Sequence, residues 1–431
     1  MDTKSHAIGE SARAALIKAR DEIRHHFERE LMPFWTKRAV DRQYGGFLCR
    51  FDGRGNLIES ETDKSIISQT RLIWGFSNFY RYTHDPVHLE AARQGLDFFV
   101  EHFWDREHGG WHWMVQRDGA LMDGGKVIYG NAFAIYALSE YSLATGDGRG
   151  LEYAGRTFDL LQKYVVDAAH GGYFENMEPD WRPCPGGVYA GDRKTLNTHM
   201  HLMEAFTTLY QASGLEVHRR RLEEIIQLIL AKMIHPVYDC GLAQFDLAWN
   251  SLPALSIYRS WDYERQGNPL DTSEETTCYG HNVELAWLLV RAGDVLGKDH
   301  RHYQDVVRRL VDHAVKYGVD YVHGGVFCAG PYDGPAANRD KEFWENMEVL
   351  PGFLDAYEVV GDPAYLKAFH LCWDFSNRYM INHQVGEWIF LAREDGAPLW
   401  DHLGNNWKIN YHSGRSLVEA LRRMDTILAA S

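Results

Sequence analysis

The chain has 431 residues, 45 of them basic and 60 acidic, for a formal net charge of −15. That surplus of carboxylates excludes sequence-independent binding to nucleic-acid backbones and anionic membrane surfaces, and no apolar run approaches the roughly 20 residues a spanning helix needs. The six cysteines are scattered without a Cys-x-x-Cys pair, and residues 1–10 are polar and lack the apolar core of a secretory signal, so the expectation is a cytoplasmic protein with reduced thiols.

Along the chain a Gly-Gly-aromatic signal recurs at Gly45-Gly46-Phe47, Gly109-Gly110-Trp111 and Gly171-Gly172-Tyr173, at intervals of about 60 to 65 residues, a fixed period that marks repeats. Weaker echoes at Cys240-Gly241-Leu242, Gly324-Gly325-Val326 and Gly386-Glu387-Trp388 bring the count to six. Between them lie segments of helical periodicity, including Leu89 to Phe103, Phe133 to Tyr141, Arg219 to Met233 and Arg301 to Val315. Two helices per repeat predict an all-α fold of about twelve helices, stacked as an open solenoid or closed into a toroid; the closed version is an (α/α)6 barrel with its cavity at one mouth, the whole of 1–431 forming one domain. The glycine signals are then tight turns or short hairpins at one rim. Three long connections, Glu175 to Thr195, Asp246 to Thr277 and Cys328 to Lys341, are long enough to carry function. The middle one, with Trp249, Tyr258, Trp261 and Tyr263, is a candidate lid.

In chain order, the first candidate is Arg71, a lone cation in the apolar helical stretch from Ile66 to Phe76. Its planar fork suits a carbonyl, an alkoxide or paired hydroxyls, and equally a structural ion pair. Tyr129 and Asn131 add a phenol and an amide at another helix start. Asn197, His201 and Glu204 share a helical face, with His199 pointing elsewhere. The x-His-x-His spacing there finds no third or fourth ligand, so a metal site is not expected. In Gly280-His281-Asn282-Val283-Glu284 a histidine and a carboxylate lie one turn apart, able to move a proton and orient a hydroxyl, or to form a satisfied buried pair. Trp344 and Glu348 share the next face, and Trp407 and His412 precede a last helix expected over Ser416 to Leu428. One theme repeats: a polar or ionisable residue opens an apolar helix, and in a toroid those positions converge at one mouth.

The chain resembles the N-acylglucosamine 2-epimerase superfamily, and within it the cellobiose and mannose 2-epimerases. The resemblance runs from Pro33-Phe34-Trp35 to Tyr411-His412-Ser413-Gly414-Arg415 and rests on four motifs: the Arg71 helix, Asn197-Thr198-His199-Met200-His201, Gly280-His281-Asn282-Val283-Glu284, and Trp407-Lys408 with Tyr411-His412. It implies an (α/α)6 barrel that interconverts sugars at C2 without metal or nucleotide cofactor. His281 and His412 would be the paired acid/base residues, His201 a helper in ring opening, and Arg71 the cation on the enediolate. Tyr129, Asn131, Asn197, Glu284, Trp344, Glu348 and Trp407 would bind the sugar. Phe343-Trp344 and Asn346 stand where cellobiose epimerases typically have Trp-Trp and Gln, and the Asp246 to Thr277 connection looks longer than theirs. The expected substrates are therefore D-mannose and D-glucose, with cellobiose-type disaccharides second. The alternatives are an aldose–ketose isomerase on the same scaffold, a glycoside hydrolase using Glu284 and Glu348, and a non-catalytic helical scaffold; monomer and dimer both stay open.

Overall fold

The computed structural model describes residues 8–261 and 276–430. Its helices, in chain order, are α1 (Glu10–His26), α2 (Met32–Arg38), α3 (Ile66–Thr83), α4 (Pro86–Phe103), α5 (Ile128–Thr145), α6 (Gly148–Tyr164), α7 (Leu196–Ser213), α8 (Glu216–Lys232), α9 (Tyr279–Val295), α10 (Gln304–Tyr317), α11 (Phe343–Val360), α12 (Pro363–Phe375) and α13 (Asn410–Ala430). The odd-numbered helices from α3 to α13 pack side by side into a closed inner ring, α13 against α3. Each inner helix has an outer partner, and for α13 it is α1 at the other end of the chain. The fold is the closed alternative, an (α/α)6 barrel, and not an open solenoid. No described helix is long and apolar enough to cross a membrane.

Composition separates the two rings. In α5 every residue from Ala132 to Tyr141 is buried, as a helix surrounded by other helices requires. Outer α6 buries one stripe, including Ala154, Phe158 and Leu161. At one end of the barrel inner and outer helices join by minimal turns. Left-handed caps at His84, Gly146, Gly214 and Gly361 end the inner helices, and Asp85, Asp147 and Asp362 cap the outer ones.

The opposite end carries the long connections, and there the glycine signals become hairpins. Each closes a bridge: Val40 to Phe47, Trp104 to Trp111, Val166 to Tyr173, Ile234 to Gly241, Val319 to Val326 and Ile381 to Trp388. Two or three residues then run into each inner helix as a strand paired with the following repeat, as in Lys64 with Val115, Lys126 with Met177, Thr195 with Gln244, Cys278 with Ala329 and Lys341 with Ala392. The bridge between Phe51 and Gly404 makes the sixth junction.

A buried lysine locks most of these hairpins. Lys64, Lys126, Lys194 and Lys341 reach Asp41, Asp105, Asp167 and Asp320 at 3.1, 2.7, 2.7 and 2.8 Å. Lys408 reaches Glu387 at 3.0 Å in the last repeat. The fourth repeat substitutes a neutral bond, Thr277 Oγ1 donating to Gly241 O at 2.9 Å. Removing one member of a buried pair strands the other charge. Lys341→Met is expected to lower unfolding stability by about 3–5 kcal/mol, and Lys341→Met with Asp320→Asn to recover part of that loss, both read from urea denaturation midpoints.

Candidate active site

The long-connection end opens into a cavity lined by Arg71, Tyr129, Asn197, His201, His281, Glu284, Trp344, Trp407 and His412. Inner helices α3, α5, α7, α9, α11 and α13 each contribute to it, α13 through His412, so the helix-start theme of the sequence does converge on the axis. The last helix begins at Asn410 rather than Ser416, which places His412 inside its first turn.

Arg71 lies on the floor, 2% exposed. Its Nη1 donates to Trp407 O at 2.9 Å and its Nη2 to the Tyr129 hydroxyl at 2.6 Å, while its guanidinium carbon sits 4.2 Å above the Phe133 ring. Among the described residues no carboxylate accepts from it. The structural ion pair is thus replaced by neutral acceptors, and the full positive charge faces the cavity. Burial pushes the Tyr129 phenol up to about 12, so it stays a neutral donor.

The carboxylates are gathered elsewhere, on Arg415. This guanidinium from α13 bonds Glu204 of α7 through Nη1, and through Nη2 both Glu284 of α9 at 2.6 Å and Glu348 of α11 at 2.7 Å. Tyr411 donates to Glu204 at 2.8 Å. Two imidazoles are held by the same acids: His201 Nδ1 lies 2.8 Å from Glu204, and His412 Nδ1 lies 2.6 Å from Glu348. Either contact orients its ring and leaves Nε2 as the working nitrogen.

Three acids and one guanidinium leave the cluster with excess negative charge. Burial raises the Glu284 carboxyl well above its ordinary range, reinforced by Glu348 and opposed by Arg415, and it raises Glu348 as well. Glu204 shows the reverse: Arg415 and then His201 outweigh the effect of burial and hold it down at about 2. Burial and mutual repulsion therefore favour the protonated form in the Glu284–Glu348 pair. The histidines go the other way. Burial pushes His281 down to about 3, helped by the nearby His201, and drives His412 well below its ordinary value, helped by Arg71 and Arg415. Both rings are neutral in the free protein.

His281 and His412 flank one indole: Trp344 lies 4.6 Å from the first ring and 5.8 Å from the second, centroid to centroid. Trp407 closes another side, 5.8 Å from Tyr129 and 6.0 Å from Trp113. Asn197 lines the wall, and its Oδ1 has no hydrogen-bond partner among the described residues.

Two expectations are corrected. Asn131 is fully buried, does not line the cavity, and donates to Val127 O at 2.9 Å. It occupies the fourth position of its helix, where Gln69, His199, Asn282 and Asn346 accept the backbone N–H of Phe47, Tyr173, Gly241 and Val326 in the glycine turns. Asn131 shares that register, but its Oδ1 has no hydrogen-bond partner among the described residues, whereas Asn346 is such a bracket. Glu348 is also fully buried and faces Arg415 and His412 rather than the cavity. Arg415 and the anchoring role of Glu204 were not singled out in the sequence. A buried arginine at i+3 from His412 was the available signal.

Two buried sets on the cavity side bring three possible ligand atoms within 4.8 Å: Glu284 with Glu348 and His412, and Cys328 with Glu342 and Glu345. In the first, Arg415 already supplies the cation between the carboxylates.

The lid candidate is partly described. Ala254, Leu255, Ile257, Arg259, Ser260 and Trp261 line the cavity, whereas Tyr263 and the connection as far as residue 275 lie outside the described residues.

The model of the family N-acylglucosamine 2-epimerase (GlcNAc 2-epimerase) matches residues 45–415. A cellobiose 2-epimerase of Bacteroides fragilis is 30% identical over 414 residues, covering 93% of this chain and 98% of its own. A D-mannose isomerase of Marinomonas mediterranea is 25% identical, covering 93% and 96%. The solved structure of cellobiose 2-epimerase from Spirochaeta thermophila superposes with a TM-score of 0.86 at 29% identity, covering 97% of this chain and 100% of that one.

Arg415→Met would strand three buried acids. The expected loss is about 3–5 kcal/mol of unfolding stability, with a pH dependence of definite sign. Acids whose folded pKa is raised stabilise fully below their unfolded value, near 4.3, and lose that contribution as pH rises through the folded one. The variant should therefore be less destabilised at pH 5 than at pH 8 in chemical-denaturation curves.

Proposed function

Since the chain belongs to the N-acylglucosamine 2-epimerase family, and is thereby an enzyme of the carbohydrate epimerase/isomerase class, we propose that it inverts the C2 configuration of an aldose through an enediolate, with D-mannose and D-glucose as the preferred pair and cellobiose-type disaccharides second. The observation that carries this reading is the pair of neutral imidazoles, His281 and His412, on either side of Trp344 above the Arg71 floor.

The chemistry follows from the charges. His201, its ring oriented by Glu204, assists opening of the pyranose to the free aldehyde. One neutral imidazole takes the C2 proton, and the electron pair moves onto the carbonyl oxygen. The Arg71 guanidinium and the Tyr129 hydroxyl stabilise the enediolate oxygens in a site largely withdrawn from water. The second imidazole returns a proton to the opposite face of C2. For that it must be charged, and the proton retained by the Glu284–Glu348 pair supplies it across the His412–Glu348 hydrogen bond. With His281 as base and His412 as acid, Glu348 passes its proton to His412; in the reverse direction His412 takes the C2 proton and returns one to Glu348, while His281 gives back the proton it holds. Asn197, Trp344 and Trp407 hold the sugar, and Glu348 positions His412.

Phe343, with its ring 5.2 Å from Phe390, and the roof from Ala254 to Trp261 support the preference for a single ring. Hydrolysis is disfavoured by geometry: Glu284 and Glu348 grip the same Arg415 nitrogen, which fills the space a glycosidic oxygen would need between two catalytic carboxyls.

Incubation with mannose, glucose, fructose and cellobiose in D2O, followed by NMR, tests the proposal. Deuterium at C2 of both mannose and glucose is expected; a ketose as the main product would establish the isomerase instead, and cleavage of cellobiose without C2 exchange the hydrolase. His281→Asn and His412→Asn should each lower kcat by about 10²–10⁴-fold. Because both imidazoles titrate below the ordinary 6.5, kcat/KM should stay near its plateau at pH 6. Half-loss near pH 6.5 would contradict the neutral free-enzyme rings.

A further inference from the structure

The roof of the cavity is pinned on three sides. The Gln244 side chain donates to Leu255 O at 2.7 Å and accepts from Leu255 N at 3.2 Å. Tyr258 N donates to Val188 O at 2.7 Å, and Tyr258 O accepts from Asn176 Nδ2 at 3.3 Å. Trp261 reaches across to the last repeat, 4.6 Å from the Phe390 ring and 6.3 Å from Trp400.

Between these anchors stands Arg259, which faces Asp123 in the second repeat. Nε donates to Oδ2 at 2.8 Å and Nη2 to Oδ1 at 2.6 Å, a two-pronged contact with side chains only 14% and 23% exposed. The local structure is shaped around it. Arg259 has φ +63°, a conformation that L residues rarely adopt. A Cβ on Gly125 would lie 2.1 Å from Arg259 Nη1, so only glycine leaves the guanidinium its seat. Asp123 is itself oriented by Gly125 N, which donates to its Oδ1 at 2.9 Å.

Resting on the sugar-epimerase reading above, we propose that the Arg259–Asp123 pair is a latch that holds residues 254–261 across the cavity mouth and so sets substrate length. With the latch closed, the space above Trp344 admits one sugar ring. A second ring must enter where Arg259 and Trp261 stand, and it must break the pair to do so. Partly dehydrated two-pronged arginine–carboxylate contacts are strong and geometrically selective, which suits a latch better than a lysine would.

The test uses the full chain as wild type, Arg259→Ala, Asp123→Asn and Gly125→Ala. The last alters no charge and blocks only the guanidinium seat. Amide hydrogen exchange over 254–261 should speed up about tenfold in all three, and the ratio of kcat/KM for cellobiose to that for mannose should rise by about the same factor. Unchanged strap exchange in both Arg259→Ala and Gly125→Ala overturns the latch. Faster exchange with an unchanged ratio overturns its control of substrate length. If the wild type places no deuterium at C2 of any sugar, the functional proposal fails together with the length claim, while the exchange measurement still decides the latch.

Discussion

Everything at the centre of this barrel depends on Arg415. Six buried helices around an axis would ordinarily fill it with apolar side chains, yet here three carboxylates from α7, α9 and α11 point inward and are fully or almost fully buried. One guanidinium from α13, stacked 4.8 Å from the Trp287 ring and 4.2 Å from the Tyr411 ring, answers all three. Its five-donor fork makes this possible; an ammonium ion would serve fewer acids with less directional control. The same contact fixes where four inner helices stand relative to one another and which way His201 and His412 face. Because one cation cannot neutralise three acids, burial and mutual repulsion push Glu284 and Glu348 towards their protonated forms.

The scaffold around that hub divides its two ends by connection length. Minimal caps join the helices at one end. At the other, hairpins clipped by Lys–Asp pairs carry the strands and loops that form the cavity wall. The clips are buried and tie most inner-helix entrances to the glycine turn of their own repeat, so the mouth can carry long loops without losing the register of the ring.

The repeat and the ring were legible because glycine at a fixed period and apolar helical segments are local signals. The lysine clips were not: each pairs residues 21 to 27 apart, as in Lys64 with Asp41 and Lys194 with Asp167, and Thr277 breaks the series. The rotation of each helix about its own axis was equally hidden. Spacing says that Asn197, His201 and Glu204 share a face, and they do. It does not say whether Tyr129 or Asn131, two positions apart, looks at the cavity. Aligning helix starts resolves this, since Asn131 then falls in the register of Gln69, His199, Asn282 and Asn346, and those four serve the glycine turns. Arg415 escaped because the last helix starts earlier than its apolar pattern suggests. Counted from Asn410, Arg415 lies one turn inside, level with the carboxylates.

The two central arginines divide the electrostatic work in opposite ways. Arg415 is saturated by acids from three helices. Arg71 is held by a carbonyl and a phenol, neither of which cancels its charge, so its field remains directed at whatever occupies the cavity. Under the proposed mechanism a developing oxyanion would meet Arg71 in surroundings of low dielectric, where such an interaction is strongest. Exchanging the partners would reverse the logic: a carboxylate on Arg71 would extinguish the oxyanion site, and a neutral partner on Arg415 would leave the buried acids to protonate or to force the helices apart. The segregation of acids to one guanidinium and neutral acceptors to the other is therefore what allows a strongly polar core to remain both folded and reactive.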